Sequence, residues 1–322
     1  MRSIDKVVTR CTLALVAWGL ATAAMAQQPA QEPNQQAPTI KAEVSLVNIF
    51  ATVRDKQKHI VPNLKQEDFR IFENDQEQKI AFFSAEKTLP ITLGLLIDTS
   101  GSEQNRLPAE QEAASRFLSQ VMRKGDEAMV LSFDLDVDLL SDFTEDRAQL
   151  QRAIHHAQIN GGGPMVTPGT LPSGPNGTHL YDAIWVACGE KLATEAGRKA
   201  LVIVTDAEDF GSKVTVEEAT EAAQRTNTVV HFLLVHDPGY GWRPDIAHKI
   251  ADQTGGRVIE VSSEKHLQEA FDQISEELRS EYTLGYYPTN PKRDGTFRKI
   301  KVETTEKDMK VLARKGYYAP KA

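Results

Sequence analysis

Between Pro90 and Glu281, apolar runs of five to eight residues alternate with longer stretches in which apolar residues recur every three or four positions. Such alternation belongs to βαβ units around a mainly parallel sheet whose strands are covered on both faces. It predicts strands at 91–97, 128–133, 200–205, 229–235 and 258–261, with a short antiparallel edge strand at 137–140. Helices are expected at 107–123, 146–158, 180–195, 215–226, 243–253 and 265–279, the first of them lining one face with Ala114, Phe117 and Val121.

On either side of this region the period shortens to two. Nearly every other residue from Val44 to Val53 is apolar or β-branched, and Phe69–Phe72 and Ile80–Phe83 follow around the polar Asn74-Asp75 turn. After the last helix come strand patterns at 282–287, 297–304 and 310–313. Two or three strands alone are marginal, so the two flanking segments are expected to pack together. The fold class is therefore α/β. A doubly wound, mainly parallel, Rossmann-like domain at 89–281 interrupts a small discontinuous all-β domain built from 41–88 and 282–322.

The first forty residues follow neither pattern. Arg2, Lys6 and Arg10 precede or enter an apolar run from Cys11 to Ala24, closed by Ala24-Met25-Ala26, which is the pattern of a secretory signal peptide at 1–26. The apolar run is about 14 residues, whereas a spanning helix needs roughly 20. Residues 27–40 are rich in Gln and Pro and poor in large apolar side chains, as in a disordered linker. The chain is thus expected to be exported, to the periplasm or the extracellular space, with no transmembrane segment after cleavage. Removing a signal of net charge +2 takes the formal charge from −8 to −10, which disfavours nucleic acid as a partner. Cys188 would then be the one remaining cysteine, so no internal disulfide can form.

Candidate chemistry starts where the first parallel strand ends, in Ile97-Asp98-Thr-Ser100-Gly-Ser102. A carboxylate and two hydroxyls on one loop suit a hard divalent cation that prefers oxygen ligands. The competing reading is a strand-to-helix turn in which Asp98 and Ser100 cap the following helix. A second acidic strand end, Val204-Thr-Asp206, adds weight to the metal. Ligands of open α/β sheets sit at the carboxyl ends of strands where the order reverses. If the order is 3-2-1-4-5-6, Asp98 and Asp206 converge there, and a cation would offset their repulsion.

With these residues in place, the chain resembles von Willebrand factor A domains, whose metal-ion-dependent adhesion site reads Asp-x-Ser-x-Ser, then Thr, then Asp. Asp98, Ser100 and Ser102 match the first element, Thr178 in Gly177-Thr-His-Leu-Tyr-Asp182 the second, and Asp206 the third. The resemblance implies a divalent ion, Mg2+ first with Mn2+ or Ca2+ as alternatives. It also implies one open coordination position, filled by an acidic side chain of a protein partner. Ala207 stands where the family usually has Gly, and Glu103 where Met is common. Val44–Asp55, Leu64–Phe69 with Ile71–Asp75, and the tail from Glu281-Tyr-Thr-Leu-Gly-Tyr-Tyr-Pro288 to Arg314-Lys-Gly-Tyr-Tyr318 further resemble an acidobacterial group related to this family, which implies a bacterial exported protein.

Glu103, His179, Tyr240 and Trp242 are candidate partner contacts, the last two in a loop expected on the metal face, with core packing as the alternative for Trp242. The Gly- and Pro-rich loop 160–177 is a candidate specificity lip. His155 and His156 have no companions at zinc-site spacing and are expected at the surface. No Gly-x-Ser-x-Gly elbow surrounds Ser100, and no second metal site or phosphate-cradling Lys or Arg is evident. The expected function is accordingly a metal-dependent, adhesion-type protein-binding module and not an enzyme. The alternatives are an envelope assembly component with a structural metal and, more remotely, a metal-dependent hydrolase. Nothing in the sequence sets the oligomeric state.

Overall fold

A computed structural model describes residues 46–85, 89–159, 177–235, 241–306 and 308–321. The expected signal peptide, linker and most of loop 160–177 lie outside the described residues, as does Tyr240. In chain order the first strands are β1 (Val47–Arg54), β2 (Phe69–Glu73), β3 (Gln76–Gln78) and β4 (Ile80–Ser84). The alternating region follows as β5 (Ile91–Asp98), α1 (Leu107–Val121), β6 (Glu127–Phe133), β7 (Val137–Thr144), α2 (Arg147–His156) and α3 (Leu180–Val186). It continues with β8 (Arg198–Thr205), α4 (Val216–Thr226), β9 (Thr228–Val235), α5 (Pro244–Thr254), β10 (Val258–Val261) and α6 (Glu264–Arg279). The last strands are β11 (Tyr282–Tyr286), β12 (Phe297–Thr304), β13 (Lys310–Ala313) and β14 (Gly316–Tyr318).

Six strands form the central sheet in the order β10-β9-β8-β5-β6-β7. Every pairing in it is parallel except β6 with β7. Counted within the sheet alone, this is the order 3-2-1-4-5-6 read from the opposite edge. β9 is buried along its whole length, which is why it carries an unbroken Val-Val-His-Phe-Leu-Leu-Val run and not an alternating one. One core cluster packs α1, α2 and α6 against one face of the sheet, and a second packs α3, α4 and α5 against the other.

The terminal strands build two further sheets, β13-β1-β11-β4 and β14-β12-β2-β3, each mixing strands from both ends of the chain. One core spans both sheets, through Ile49, Val53, Phe69, Ile71, Tyr282, Leu284 and Ile300. Phe69 and Tyr282 meet there with ring centroids 5.0 Å apart. Along β12, Arg298 and Ile300 point inward and Lys299 and Lys301 outward, the period-two pattern of a sheet with one solvated face.

Two expected elements differ, and two short strands were not expected. The helix expected over 180–195 keeps its α form only to Val186, then passes through a π turn at Ala187–Lys191 and a 3-10 turn at Leu192–Thr194. Gly189 lies inside the π turn, where it weakens the helix relative to Ala. The edge strand β7 runs to Thr144, four residues beyond the expected end, because irregular pairing with β6 breaks its apolar period. β3 and β14, each only three residues long, were not expected. Cys188 is fully buried, and burial pushes its thiol up to about 12, so it behaves as a small apolar residue.

Candidate metal centre

The reversal of strand order falls between β5 and β8, and that is where the acidic strand ends meet. Asp98 is the last residue of β5, and Asp206 follows Thr205, the last residue of β8. Asp98, Glu103 and Asp206 each offer a carboxylate oxygen such that all three lie within 4.8 Å of one another. Every one of them is buried, at 0%, 2% and 3% exposure.

Local hydrogen bonds fix the loop. Asp98 Oδ1 accepts from the Ser100 backbone N–H at 2.9 Å, and Oδ2 accepts from the Thr205 hydroxyl at 2.6 Å. Asp206 Oδ1 accepts from the Glu208 N–H at 2.9 Å. The hydroxyls of Ser100 and Ser102 sit 3.0 Å apart. Ser100 precedes a 3-10 turn at Gly101–Glu103 but makes no side-chain cap bond, and α1 starts after Arg106, also without a side-chain cap. The capping alternative therefore fails: neither Asp98 nor Ser100 satisfies the start of a helix, and the two serine hydroxyls face each other instead.

Thr178 is pinned to the same edge by its backbone. Its N–H and C=O both bond to Phe210, at 3.1 and 2.9 Å, in the segment that follows Asp206. The next N–H, of His179, donates to the Asp134 carbonyl at 2.7 Å, at the end of β6. Thr178 is thus held between the ends of the strands on either side of β5, at 9% exposure.

Electrostatically the pocket is unbalanced. Burial, and then the Asp206 carboxylate, push Asp98 well above the ordinary carboxylate range. Burial also raises Glu103, helped by Glu110, Asp98 and Asp206, and Glu103 Oε2 has no hydrogen-bond partner. Glu110, at 1% exposure on α1, is raised by burial as well. Buried anions persist when paired or bound to a metal. Three converging carboxylates, one of them with an orphaned buried oxygen, and two hydroxyls that cap nothing form an oxygen donor set that fits a hard divalent cation.

The structure places the other candidates differently from one another. Glu103, expected as an outward contact, turns inward, because the 3-10 turn after Ser100 rotates it toward Asp98 and Asp206. His179 is half-buried, 4.0 Å from Asp182 through Nδ1, and its ring packs over Gly211, where an added Cβ would come within 2.8 Å of Nε2. Trp242 is half-buried against the second core cluster. His155 and His156 are exposed at the end of α2. Sequence reasoning missed Thr205, which orients Asp98, and Phe210, 69% exposed beside Thr178. A signal for Thr205 existed in its place directly before Asp206 at a strand end; Phe210 had none. Ala207 adopts φ 61°, the left-handed region that favours Gly, which accounts for the family's usual choice there.

Residues 93–208 match the family model of the von Willebrand factor type A domain. The chain carries a von Willebrand factor type A domain. Domains of this family commonly mediate protein–protein interactions and typically bind a divalent metal at an adhesion site. Among solved structures, the chain is similar to the conserved hypothetical protein BatB from Bacteroides thetaiotaomicron, at 18% identity and TM-score 0.46, over 59% of this chain and 100% of that one. It is also similar to a von Willebrand factor type A protein from Catenulispora acidiphila, at 13% identity and TM-score 0.49, over 88% and 75% of the two chains. A third similar structure is proximal thread matrix protein 1 from the mussel byssus with a zinc-occupied adhesion motif, at 14% identity and TM-score 0.49, over 64% and 49%. Likeness at this level assigns no ligand or partner to this von Willebrand factor A domain. No curated protein matches the chain.

Proposed function

We propose that this protein is an exported adhesion-type module that docks a protein partner through a divalent ion, Mg2+ by preference, and catalyses no reaction. Asp98, Ser100, Ser102, Thr178 and Asp206 would hold the ion, which would supply a positive docking point for an acidic side chain of the partner. The carrying observation is the buried convergence of Asp98, Glu103 and Asp206 within 4.8 Å beside two serine hydroxyls that cap no helix. Ser102 is half-buried, and exposed Phe210, backbone-paired with Thr178, offers an apolar contact at the same edge. Export rests on the basic and apolar pattern of residues 1–26. Among the described residues no helix is long and apolar enough to cross a membrane.

Calorimetric titration with Mg2+, paired with capture from an envelope extract, tests this reading. Wild type is expected to bind the ion and to capture a partner that chelator releases, and Asp98→Ala to do neither. Unchanged ion uptake by Asp98→Ala would remove the site. Phe210→Ala is expected to weaken capture while leaving ion affinity intact.

One observation favours a second reading, a structural metal in an envelope assembly component. The inward Glu103 carboxylate would complete the coordination shell from within the chain and leave no position for a partner. Capture that survives chelation would select it.

A further inference from the structure

The tail motif Arg314-Lys-Gly-Tyr-Tyr318 plays no part in the metal centre. It forms part of the wall of a cavity of about 240 Å3, together with β1, the start of β12 and the end of α4. α4 ends just before β9 begins, so this cavity lies at the amino edge of the parallel sheet. The metal loop is at the carboxyl edge.

Two arginines in the wall are buried, Arg298 at 2% and Arg314 at 8% exposure. The charge of Arg298 is answered: Glu73 stands 3.4 Å away, and the carbonyls of Asn290 and Lys292 accept from its guanidinium. The other oxygen of Glu73 is occupied by the hydroxyls of Tyr286, at 2.7 Å, and Tyr317, at 2.9 Å. That leaves Arg314 over. Among the described residues no carboxylate lies within ion-pair distance of it. Its contacts are the Asn48 carbonyl and the Tyr317 ring, 5.5 Å from the guanidinium carbon, and its Nε has no hydrogen-bond partner. Burial pulls its pKa down to about 10, as expected of a desolvated cation without a counter-charge.

The mouth of the cavity adds to the imbalance. Arg225, Lys292 and Arg293 line it, and among the described residues no acidic side chain does. Arg225 is paired with Glu221 at 2.6 Å and held over the Tyr318 ring at 4.2 Å, so its position is set before any ligand arrives. A guanidinium presents a planar fork of donors matched to carboxylate and phosphate oxygens. The volume lies below the roughly 300–1,000 Å3 of drug-sized ligand sites, which selects a compact anion over a nucleotide.

We propose that this cavity is a binding site for a small oxyanion, a carboxylate or a phosphate, whose negative charge neutralises Arg314. The bound anion would sit between Arg314 and the basic mouth, independent of the metal. A carboxylate and a phosphate present the same chemistry to the fork, and separate probes tell them apart.

The test is calorimetric titration of the full chain with inorganic phosphate and, separately, with succinate, at constant ionic strength in chloride and with chelator present. Saturable binding of at least one is expected, weakened tenfold or more in Arg314→Gln and severalfold in Arg293→Gln, an exposed position where folding is not at stake. Binding of phosphate alone or of succinate alone would identify the source of the oxyanion. Three results would overturn the site: no saturable binding of either probe to wild type, affinity unchanged in both variants, or binding that appears only in Glu43→Gln. Glu43 stands three residues before Leu46, which lines the cavity, so that last result would mean that the chain's own carboxylate fills it.

Discussion

At the scale of single residues, Glu103 decides how open the metal centre is. It follows Ser102 directly, its carboxylate belongs to the cluster with Asp98 and Asp206, and it is shut off from solvent. Glu103→Gln keeps the shape and replaces one carboxyl donor by a neutral amide that cannot ionise on the ion. If the ion serves docking, this variant is expected to bind the ion severalfold more weakly and to capture the partner at least as well per bound ion, measured by calorimetry and pull-down in saturating Mg2+. A fall in capture beyond the fall in ion occupancy would show that Glu103 itself supports the partner. Of the five ligand candidates, Asp98, Ser100 and Ser102 were legible because they share one loop, and Asp206 because it ends a strand. Thr178 was legible only through the family pattern, since a lone Thr in a polar loop carries no period or spacing. The inward turn of Glu103 was illegible: facing within a 3-10 turn depends on what packs around it.

His231 on β9 supplies a pH dependence. It is 2% exposed, both ring nitrogens lack hydrogen-bond partners, and the nearest carboxylate oxygen, of Glu277, is 3.8 Å away. Burial lowers its pKa below 6.5; Glu277 and Glu281 oppose that shift, and Arg257 and Arg54 reinforce it. Below pH 6.5 the unfolded chain takes up a proton that the folded chain refuses. Stability from this residue is therefore full above pH 6.5 and declines as pH falls toward the depressed value. Urea midpoints at pH 5.5 and 7.5 are expected to differ more for wild type than for His231→Gln. Equal differences would mean that other groups carry the acid sensitivity.

At the scale of elements, buried parallel strands and capped helices were the most legible parts. α4 has both signals: an apolar face, and Thr215 with Glu218 forming a capping box in which the Thr215 hydroxyl accepts from the Glu218 N–H at 3.2 Å. Thr215→Ala is expected to cost about 1 kcal/mol, read from denaturant midpoints. A loss below a few tenths would show that packing of Ala219 and Ala223 alone holds the first turn. Elements that were misjudged lack such signals. β14 has three residues, beginning with Gly316, too few to show a period; what defines it is pairing with β12. The helix after Leu180 keeps its apolar spacing through Cys188 and Leu192, so the apolar period does not mark the change to a π turn, and Gly189 alone disfavours the α form there.

For the whole molecule, the question is what holds the two-sheet β part to the von Willebrand factor A domain. Glu277 on α6 is 1% exposed and receives Arg54 from β1 and Arg257, the latter at 2.9 Å. Nearby, Arg198 of β8 bonds to Glu281 at 2.7 Å, just before β11. A further contact comes from α5: Gly255 ends it at φ 87°, close enough to β13 that an added Cβ would lie 2.6 Å from the Arg314 backbone nitrogen. None of this was legible in the sequence, because Arg54 and Glu277 are 223 positions apart and carry no mutual pattern. Removing one member of a buried ion cluster is worse than never having built it, since the remaining charges lose their partner. Glu277→Ala strands two arginines and is expected to cost about 3 kcal/mol. Because Arg54 belongs to the β part and Glu277 to the α/β part, the same variant should also loosen their coupling. Calorimetry is then expected to show the β part melting before the central sheet, as two resolved transitions where wild type gives one. A single transition, lowered in temperature but undivided, would leave the coupling to the Arg198–Glu281 pair and the Gly255 contact with β13, and Arg198→Gln and Gly255→Ala would then tell which of the two splits it.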